Sequence, residues 1–215
     1  MVRWGVLLVF VFHLSSSMAQ AKEVKIGSSL VTLVAPPAFC ELDENSRSAK
    51  SLRDLLGGRN QLLASYADCD SKSSLPLDNF ANYTTPRNQT ANLPVGAIKQ
   101  VCATLRTKGD ERLAAIMRDR LPDMQRLFND VKVNEVRFLG VISEEADVCY
   151  SAQAQSLVTE SGVDKRQISI SAATVIHGKF IVFNLYAPLK GNISVSALLD
   201  KHKRNVAALI AANPN

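Results

Sequence analysis

The chain contains little histidine: three residues in 215, of which only His177 and His202 follow the first 21 positions. Catalysis at neutral pH usually needs a positioned base, and histidine is the most common one. His177 falls in a predicted turn and His202 in the apolar stripe of a predicted helix, so a structural role is the simpler interpretation of each. The G-x-S-x-G, H-E-x-x-H, P-loop and G-x-G-x-x-G motifs are absent too. No catalytic residue, cofactor site or metal site is therefore predicted, and a non-enzyme is favoured.

The sequence also lacks a basic block. Its formal net charge of +5 is dispersed along the chain, and aromatic residues make up 6% of it. Nucleic-acid-binding surfaces usually combine clustered basic residues with aromatic side chains. Nucleic-acid binding is therefore disfavoured, and the dispersed charge is typical of a solvated mixed surface.

No long apolar run follows the start of the chain, and the short run that is there has the features of a cleaved secretory signal. Arg3 precedes the apolar run, which is too short to span a bilayer, and small residues lead to Ala19-Gln20-Ala21. We expect residues 1–21 to be removed. The remainder, 22–215, is then a single α+β domain in the periplasm or outside the cell, without an integral membrane segment, and is long enough to bury a substantial core.

All four cysteines, Cys40, Cys69, Cys102 and Cys149, lie in the expected exported part. An even number in an exported protein favours disulfides, and four cysteines allow three connectivities. A crossover of strand, helix and strand over residues 30–69 would bring Cys40 and Cys69 together. We therefore favour a Cys40–Cys69 and a Cys102–Cys149 bridge. A stress or redox protein with a free cysteine is the alternative, although no CxxC spacing supports a redox site.

The stretch around which the predicted fold is organised is residues 164–188, two strands on either side of His177-Gly178. Glycine can take a positive φ in a two-residue turn, and β-branched and aromatic residues flank it. The resulting register places Ile176 opposite Lys179. It gives one core face, made of Ile168, Ile170, Ala172, Thr174, Ile176, Ile181, Phe183 and Leu185. The other face is only partly polar, so we expect it to be partly covered.

Hydrophobic periodicity predicts the remaining elements. Strands are expected at residues 24–26, 30–34, 61–69, 134–142 and 148–158, and helices at 46–56, 95–108, 110–131 and 194–213. Pro122 should kink the third helix or begin another one, and its stripe of Leu, Ile and Met side chains should be core. Gly140 is placed at a bulge. The last two of these strands and the organising hairpin together predict an antiparallel run of four.

Residues 71–94 are predicted to be irregular because they are rich in Asn, Thr, Ser and Pro. Long irregular segments in compact domains are often functional. Phe80, Tyr83 and Arg87 are therefore the candidate contact surface.

Three N-x-S/T sequons begin at Asn82, Asn88 and Asn192. They matter only if a glycosylating pathway makes the protein.

Glu144, Glu145 and Asp147 form the most acidic turn of the chain. Their spacing does not reproduce the common calcium-binding loop. A solvated turn is therefore the preferred interpretation.

The order of the segments VTLVAPPAFCELD, NQLLASYADC, EVRFLGVISEEADVCYSAQAQ and TVIHGKFIVFNLYAP carries a resemblance. The chain resembles exported, mostly uncharacterised proteins of alphaproteobacteria with FCELD and ADC segments. More distantly, it is similar to PsbP-like proteins, whose antiparallel sheet lies between helices in an α/β/α sandwich. The resemblance implies an antiparallel sheet flanked by helices, a periplasmic address and a binding or assembly role without catalysis. It carries over no functional residue, and the metal-binding and photosystem-docking residues of plant PsbP find no match.

The sequence thus predicts an exported, non-catalytic protein that binds a partner or stabilises an envelope assembly. The partner would be an envelope protein or a small molecule of unknown identity. The alternative is a hydrolase or a small-molecule-binding enzyme whose site is assembled from distant Ser, Asp or Glu residues. A deep pocket with convergent polar groups would favour the alternative.

Overall fold

The structure, a computed structural model, describes residues 20–56, 59–70, 79–94, 96–127, 131–159, 162, 164–189 and 194–214. The expected signal segment lies outside the described residues except for Gln20 and Ala21. The strands are β1 (Ala21–Ile26), β2 (Ser29–Val34), β3 (Phe39–Glu41), β4 (Asn60–Asp68), β5 (Phe80–Pro86), β6 (Val131–Glu145), β7 (Val148–Thr159), β8 (Asp164–Ile176) and β9 (Lys179–Pro188). The helices are α1 (Arg47–Leu56), α2 (Ala97–Leu127) and α3 (Val195–Ala211).

Seven of the strands form one antiparallel sheet in the order β3-β4-β5-β9-β8-β7-β6, and β1 pairs with β2 in a separate hairpin. The predicted run of four antiparallel strands, β6 to β9, is confirmed. The pairing of β6 with β7 is irregular between Phe138 and Gly140, and Gly140 has φ 101°, so the predicted bulge is confirmed as well. No helix among the described residues is long and apolar enough to cross a membrane.

The organising hairpin has the predicted register. Ile176 lies opposite Lys179, and Ile168 lies opposite Ala187. His177 and Gly178 take φ values of 49° and 77°, the pair of positive angles that a tight hairpin turn requires. The whole predicted core face is buried, because every residue assigned to it has a low exposed fraction.

Different elements cover the two faces of the sheet. On one face, α3 and the β1–β2 hairpin bury Leu198, Val206, Leu209, Val31 and Leu33. On the other face, the first part of α2 packs through Ile98 and Cys102. The expectation of a sheet flanked by helices is therefore met in part. The antiparallel sheet dominates the fold. The β1–β2 hairpin covers part of a sheet face that helices were expected to cover.

The structure contains the disulfides Cys40–Cys69 and Cys102–Cys149, which is the favoured pairing. The crossover that suggested this pairing is wrong, however. Cys40 lies on β3, which runs antiparallel to β4 and places Cys40 opposite Ala67. Cys69 follows the end of β4 directly, so the two cysteines meet across an antiparallel pair.

The prediction that residues 71–94 are irregular is wrong for Phe80–Pro86, which form β5 between β4 and β9. Residues 71–78 lie outside the described part of the chain. Phe80 and Tyr83 are buried, with 8% and 0% exposure. Their rings stack on Tyr186 and Phe183 at centroid distances of 3.9 and 4.0 Å. These two residues are therefore part of the packed sheet and not an exposed contact surface.

The polar composition of β5 is typical of a loop, and this is why the sequence predicts irregular structure there. Its polar side chains are buried because neighbouring strands provide hydrogen-bond partners. Asn184 Nδ2 donates to Asn82 Oδ1 at 2.8 Å, and Thr85 Oγ1 donates to the Phe180 carbonyl at 2.8 Å. A buried polar group with a partner carries little penalty, so the strand tolerates it.

The two helices predicted over residues 95–131 are one helix, α2, with Gly109 in its interior. Leu113 is half-buried, and Ile116 is 53% exposed. The predicted core stripe is therefore wrong at its start. Its other members, Met117, Leu121, Met124, Leu127, Phe128 and Val131, have side chains outside the described part.

Candidate functional site

The described residues line a cavity where the β8–β9 turn, the start of α2 and the end of α3 meet. It has a volume of about 530 Å³. The residues around the β8–β9 turn that line it are Thr174, Val175, Ile176, His177 and Gly178. The other lining residues are Leu93, Pro94, Gly96, Ala97, Ile98, Asp147, Ile210, Asn213 and Pro214. We call it the hairpin-end cavity.

Gly178 lets one wall approach the turn. Its φ of 77° favours glycine, and an added Cβ would lie 2.7 Å from Cγ of Asn92. The Leu93 N–H donates to the Gly178 carbonyl at 2.8 Å. The segment that carries Leu93 and Pro94 is therefore held directly against the turn.

Lys179 holds the same segment from the other side. Its side chain is fully buried, and Nζ donates to the Thr90 carbonyl at 2.9 Å and lies 3.5 Å from that of Ala91. Burying an ammonium group requires such partners. The sequence holds a signal for this burial, since the hairpin register places Lys179 opposite the core residue Ile176.

His177 links three segments at the cavity. Its Nδ1 lies 2.8 Å from the Leu30 carbonyl oxygen, and its Nε2 lies 3.2 Å from that of Pro214. Carbonyl oxygens only accept hydrogen bonds, so a neutral ring satisfies one of these contacts and a protonated ring satisfies both. Both nitrogens thus face backbone groups of the protein itself, which fits the structural interpretation.

His202 has a structural environment as well. It is fully buried, with its ring against those of Phe183 and Tyr150 at centroid distances of 4.7 and 6.1 Å. Nε2 donates to the Phe183 carbonyl at 3.0 Å. Burial lowers the pKa of His202 to about 4, so its ring is neutral at pH 7.

Two carboxylates of the acidic turn are paired with the helices. Glu144 forms an ion pair with Arg106 of α2 at 2.5 Å, and Glu145 forms one with Lys203 of α3 at 2.9 Å. Asp147, which lines the cavity, has no cation within ion-pair distance in the described part of the chain. The solvated-turn interpretation is thus corrected for the two glutamates. No group of three or more His, Cys, Asp or Glu in the described part is arranged to hold a metal ion.

The other polar side chains of the cavity are already engaged. Thr174 Oγ1 donates to the Asp147 carbonyl at 2.9 Å. The Asn213 side chain binds Thr32 and Leu209 through three hydrogen bonds. Among the described lining residues, the Asp147 carboxylate is therefore the polar side chain available to a ligand, and the lining as a whole exposes polar and apolar surface in about equal shares.

The contact surface predicted from the sequence does not form this cavity, although His177 and Asp147, which the sequence also drew attention to, line it. Phe80 and Tyr83 lie within the sheet, and the exposed Arg87 binds the Asn60 carbonyl at 3.2 Å. Cys102 contributes indirectly, because its disulfide anchors α2 one turn after Ile98, which lines the cavity. The cavity is lined by segments that are distant in the chain, so no local sequence pattern predicts it.

No family model matches the chain. No curated protein is similar enough in sequence to count as a relative. Among solved structures, it is similar to the solution structure of cyanobacterial PsbP (CyanoP) from Synechocystis sp. PCC 6803, with 10% identity, 92% of each chain covered and a TM-score of 0.40. The expected PsbP-like neighbour is thus found, as a distant likeness on which no functional argument rests. The resemblance to alphaproteobacterial proteins stays a prediction.

Proposed function

We propose that the chain is an exported, non-catalytic protein that binds an envelope protein through the hairpin-end cavity and so stabilises an assembly. The observation that carries this proposal is the cavity itself, which combines apolar side chains with the carboxylate of Asp147, the polar side chain left available among the described lining residues. Its volume of about 530 Å³ falls within the range of about 300–1,000 Å³ that is usual for binding sites.

Several expectations from the sequence belong to the same proposal. They are the removal of residues 1–21, a single domain over 22–215, a periplasmic or extracellular location and a PsbP-like α/β/α arrangement of the sheet and helices. The two disulfides support a location outside the reducing cytosol. The backbone contacts of His177 and the burial of His202 support a role without acid–base catalysis.

The binding proposal is tested by placing a photo-crosslinking residue at the cavity rim in the native host. Ile210 is the site for it, because this residue is 41% exposed and lines the cavity. Ile116 is the matched control, because it is equally apolar, 53% exposed and lies on α2 away from the cavity. We expect one discrete adduct at position 210 that an excess of unlabelled protein abolishes. Identical adducts at both positions, or none at 210, would contradict the proposal.

A small-molecule-binding enzyme is the second candidate, because the cavity has the size of a ligand site and brings Asp147, Thr174 and His177 together. Turnover in a substrate screen that is lost in Asp147→Asn would favour it. Turnover that survives this substitution would place any activity elsewhere.

A further inference from the structure

The charge of the hairpin-end cavity is set by Asp147. The neighbouring carboxylates of Glu144 and Glu145 are neutralised by the ion pairs with Arg106 and Lys203. No such pair forms at Asp147 in the residues that the structure describes. The protein therefore leaves one unpaired negative charge, that of Asp147, among the described residues that line the cavity.

The partial charges at the helix ends that line the cavity do not replace the full negative charge of Asp147. The start of α2 contributes Ala97 and Ile98, and the end of α3 contributes Ile210. An α-helix carries a partial positive charge at its N-terminus and a partial negative charge of similar size at its C-terminus. The two partial charges have opposite signs, and each is about half of the full charge of the carboxylate.

We propose that the partner enters the hairpin-end cavity with a peptide segment that carries a lysine or arginine side chain, whose cationic end pairs with Asp147. This inference rests on the proposed function and specifies the chemistry of the partner. The long aliphatic stem of such a side chain suits the apolar surface of Val175 and Pro214, while its charged end reaches the carboxylate. Charge complementarity of this kind selects among partners that offer similar apolar surface.

The test uses the purified, oxidised protein and three peptides that differ at one position: acetyl-Leu-Lys-Leu-amide and its norleucine and glutamate counterparts. Norleucine keeps the aliphatic stem and removes the ammonium group. Binding is followed by two-dimensional amide NMR, with the signals of Ile176 and Ile210 as reporters of the cavity. We expect the lysine peptide to bind about fivefold more tightly than the norleucine peptide, as for a partly exposed ion pair.

Asp147→Asn should remove this preference without changing the shape of the side chain. Asp200→Asn is the matched control, because it removes the same charge from an exposed position on α3 that does not line the cavity. Equal binding of the lysine and norleucine peptides, a preference that survives Asp147→Asn, or no shift at the cavity with any peptide would overturn the inference. Binding of free hexylamine without binding of the lysine peptide would overturn it too, by indicating a small amine instead of a peptide.

The two proposals fail in different ways. A crosslinked partner at position 210 that persists in Asp147→Asn would leave the proposed function intact and overturn the charge-specific inference. If no adduct forms at position 210 but the purified protein still prefers the lysine peptide, the proposal of an envelope partner fails. The inference that the cavity prefers a cationic side chain then stands.

Discussion

The side-chain amide of Asn213 pairs with the backbone of Thr32 in the way that a neighbouring strand would. Its Oδ1 accepts the Thr32 N–H at 2.8 Å, and its Nδ2 donates to the Thr32 carbonyl at 2.8 Å. Nδ2 also donates to the Leu209 carbonyl at 2.8 Å. Since Thr32 belongs to β2 and Leu209 to α3, one side chain joins the N-terminal hairpin to the last helix at the wall of the cavity.

Replacing Asn213 should weaken this junction strongly. Asn213→Ala removes all three hydrogen bonds and leaves buried backbone groups without partners, which should lower the free energy of unfolding by about 2 kcal/mol. Asn213→Asp retains the acceptor but turns an oxygen toward two carbonyls, so it should also destabilise. Urea unfolding measures both. Asn134→Ala on β6, where the asparagine is exposed, serves as the control and should change stability by less than about 0.5 kcal/mol. An Asn213→Ala protein as stable as this control would contradict the role given to the amide.

Gly109 lies in the interior of α2 and faces the ring of Phe138 on β6. A Cβ at this position would overlap the ring. Exchanging glycine for alanine inside a helix normally stabilises it by about 1 kcal/mol. Here we expect Gly109→Ala to destabilise the protein by about 1–3 kcal/mol, because either the Phe138 ring must shift or the helix must move away from the sheet.

A second substitution tests whether the close contact with Phe138, rather than a general effect of alanine at position 109, causes the loss of stability. In a Phe138→Ala background the overlap is gone, so Gly109→Ala should become neutral or stabilising. Thermal unfolding of the two single variants and the double variant gives the coupling between the positions. The same loss from Gly109→Ala in both backgrounds would show that Phe138 is not the cause.

The organising hairpin was predictable because each of its signals is local. Alternating apolar residues fix the faces, and the glycine of the turn fixes the register, so the pairing from Ile176 and Lys179 onward follows from the sequence. Strand β5 was not predictable in this way. Asn82 is acceptable in a buried strand only because Asn184, distant in the chain, donates to it, and local composition does not reveal a partner on another strand.

The candidate site was predictable only in fragments. The acidic turn was recognised, but the cations that neutralise Glu144 and Glu145 come from two helices, and only their positions in the fold single out Asp147. The sequence predicts two helices, over residues 95–108 and 110–131, on either side of Gly109. Its actual role, a close approach of helix and sheet, depends on Phe138 and on tertiary packing.

His202 should make the protein sensitive to acid. Its pKa is lowered from 6.5 to about 4 because the ring is buried. Between these values the unfolded chain binds a proton that the folded protein excludes, so stability is lost as the pH falls from about 6.5 to 4. The loss from this one group is on the order of 3 kcal/mol, given about 1.4 kcal/mol for each pKa unit.

The measurement is urea unfolding of the wild type and His202→Gln at several values between pH 7 and pH 4. Glutamine can donate to the Phe183 carbonyl but does not titrate, so the variant should lose less stability than the wild type over this range. Carboxylates titrate in both proteins and cancel in the comparison. His177→Gln is the control for removing a histidine. If the free energy of unfolding falls equally with pH in the wild type and in His202→Gln, the buried ring is excluded as a cause of acid sensitivity.

The two disulfides should differ in their resistance to reduction. Cys40 and Cys69 are both exposed, whereas Cys102 and Cys149 are 0% and 1% exposed. Thiol–disulfide exchange requires the attacking thiolate to reach a sulfur atom. Dithiothreitol in native buffer should therefore open Cys40–Cys69 first, and Cys102–Cys149 should persist until the protein unfolds. Mass spectrometry after alkylation identifies the reduced pair, and the same reaction in urea, where burial no longer distinguishes the bridges, is the control.

The persistent bridge is the one that matters for the cavity. Cys102–Cys149 ties the start of α2 to β7, next to the wall formed by Ile98, and closes a loop with a sequence separation of 47. A chain-entropy treatment assigns a bridge of this span about 4 kcal/mol. A Cys102→Ser/Cys149→Ser protein should thus lose stability and lysine-peptide binding together, whereas Cys40→Ser/Cys69→Ser should keep the binding. Equal rates of reduction for both bridges in native buffer would contradict the burial argument, and equal loss of binding would contradict the link to the cavity.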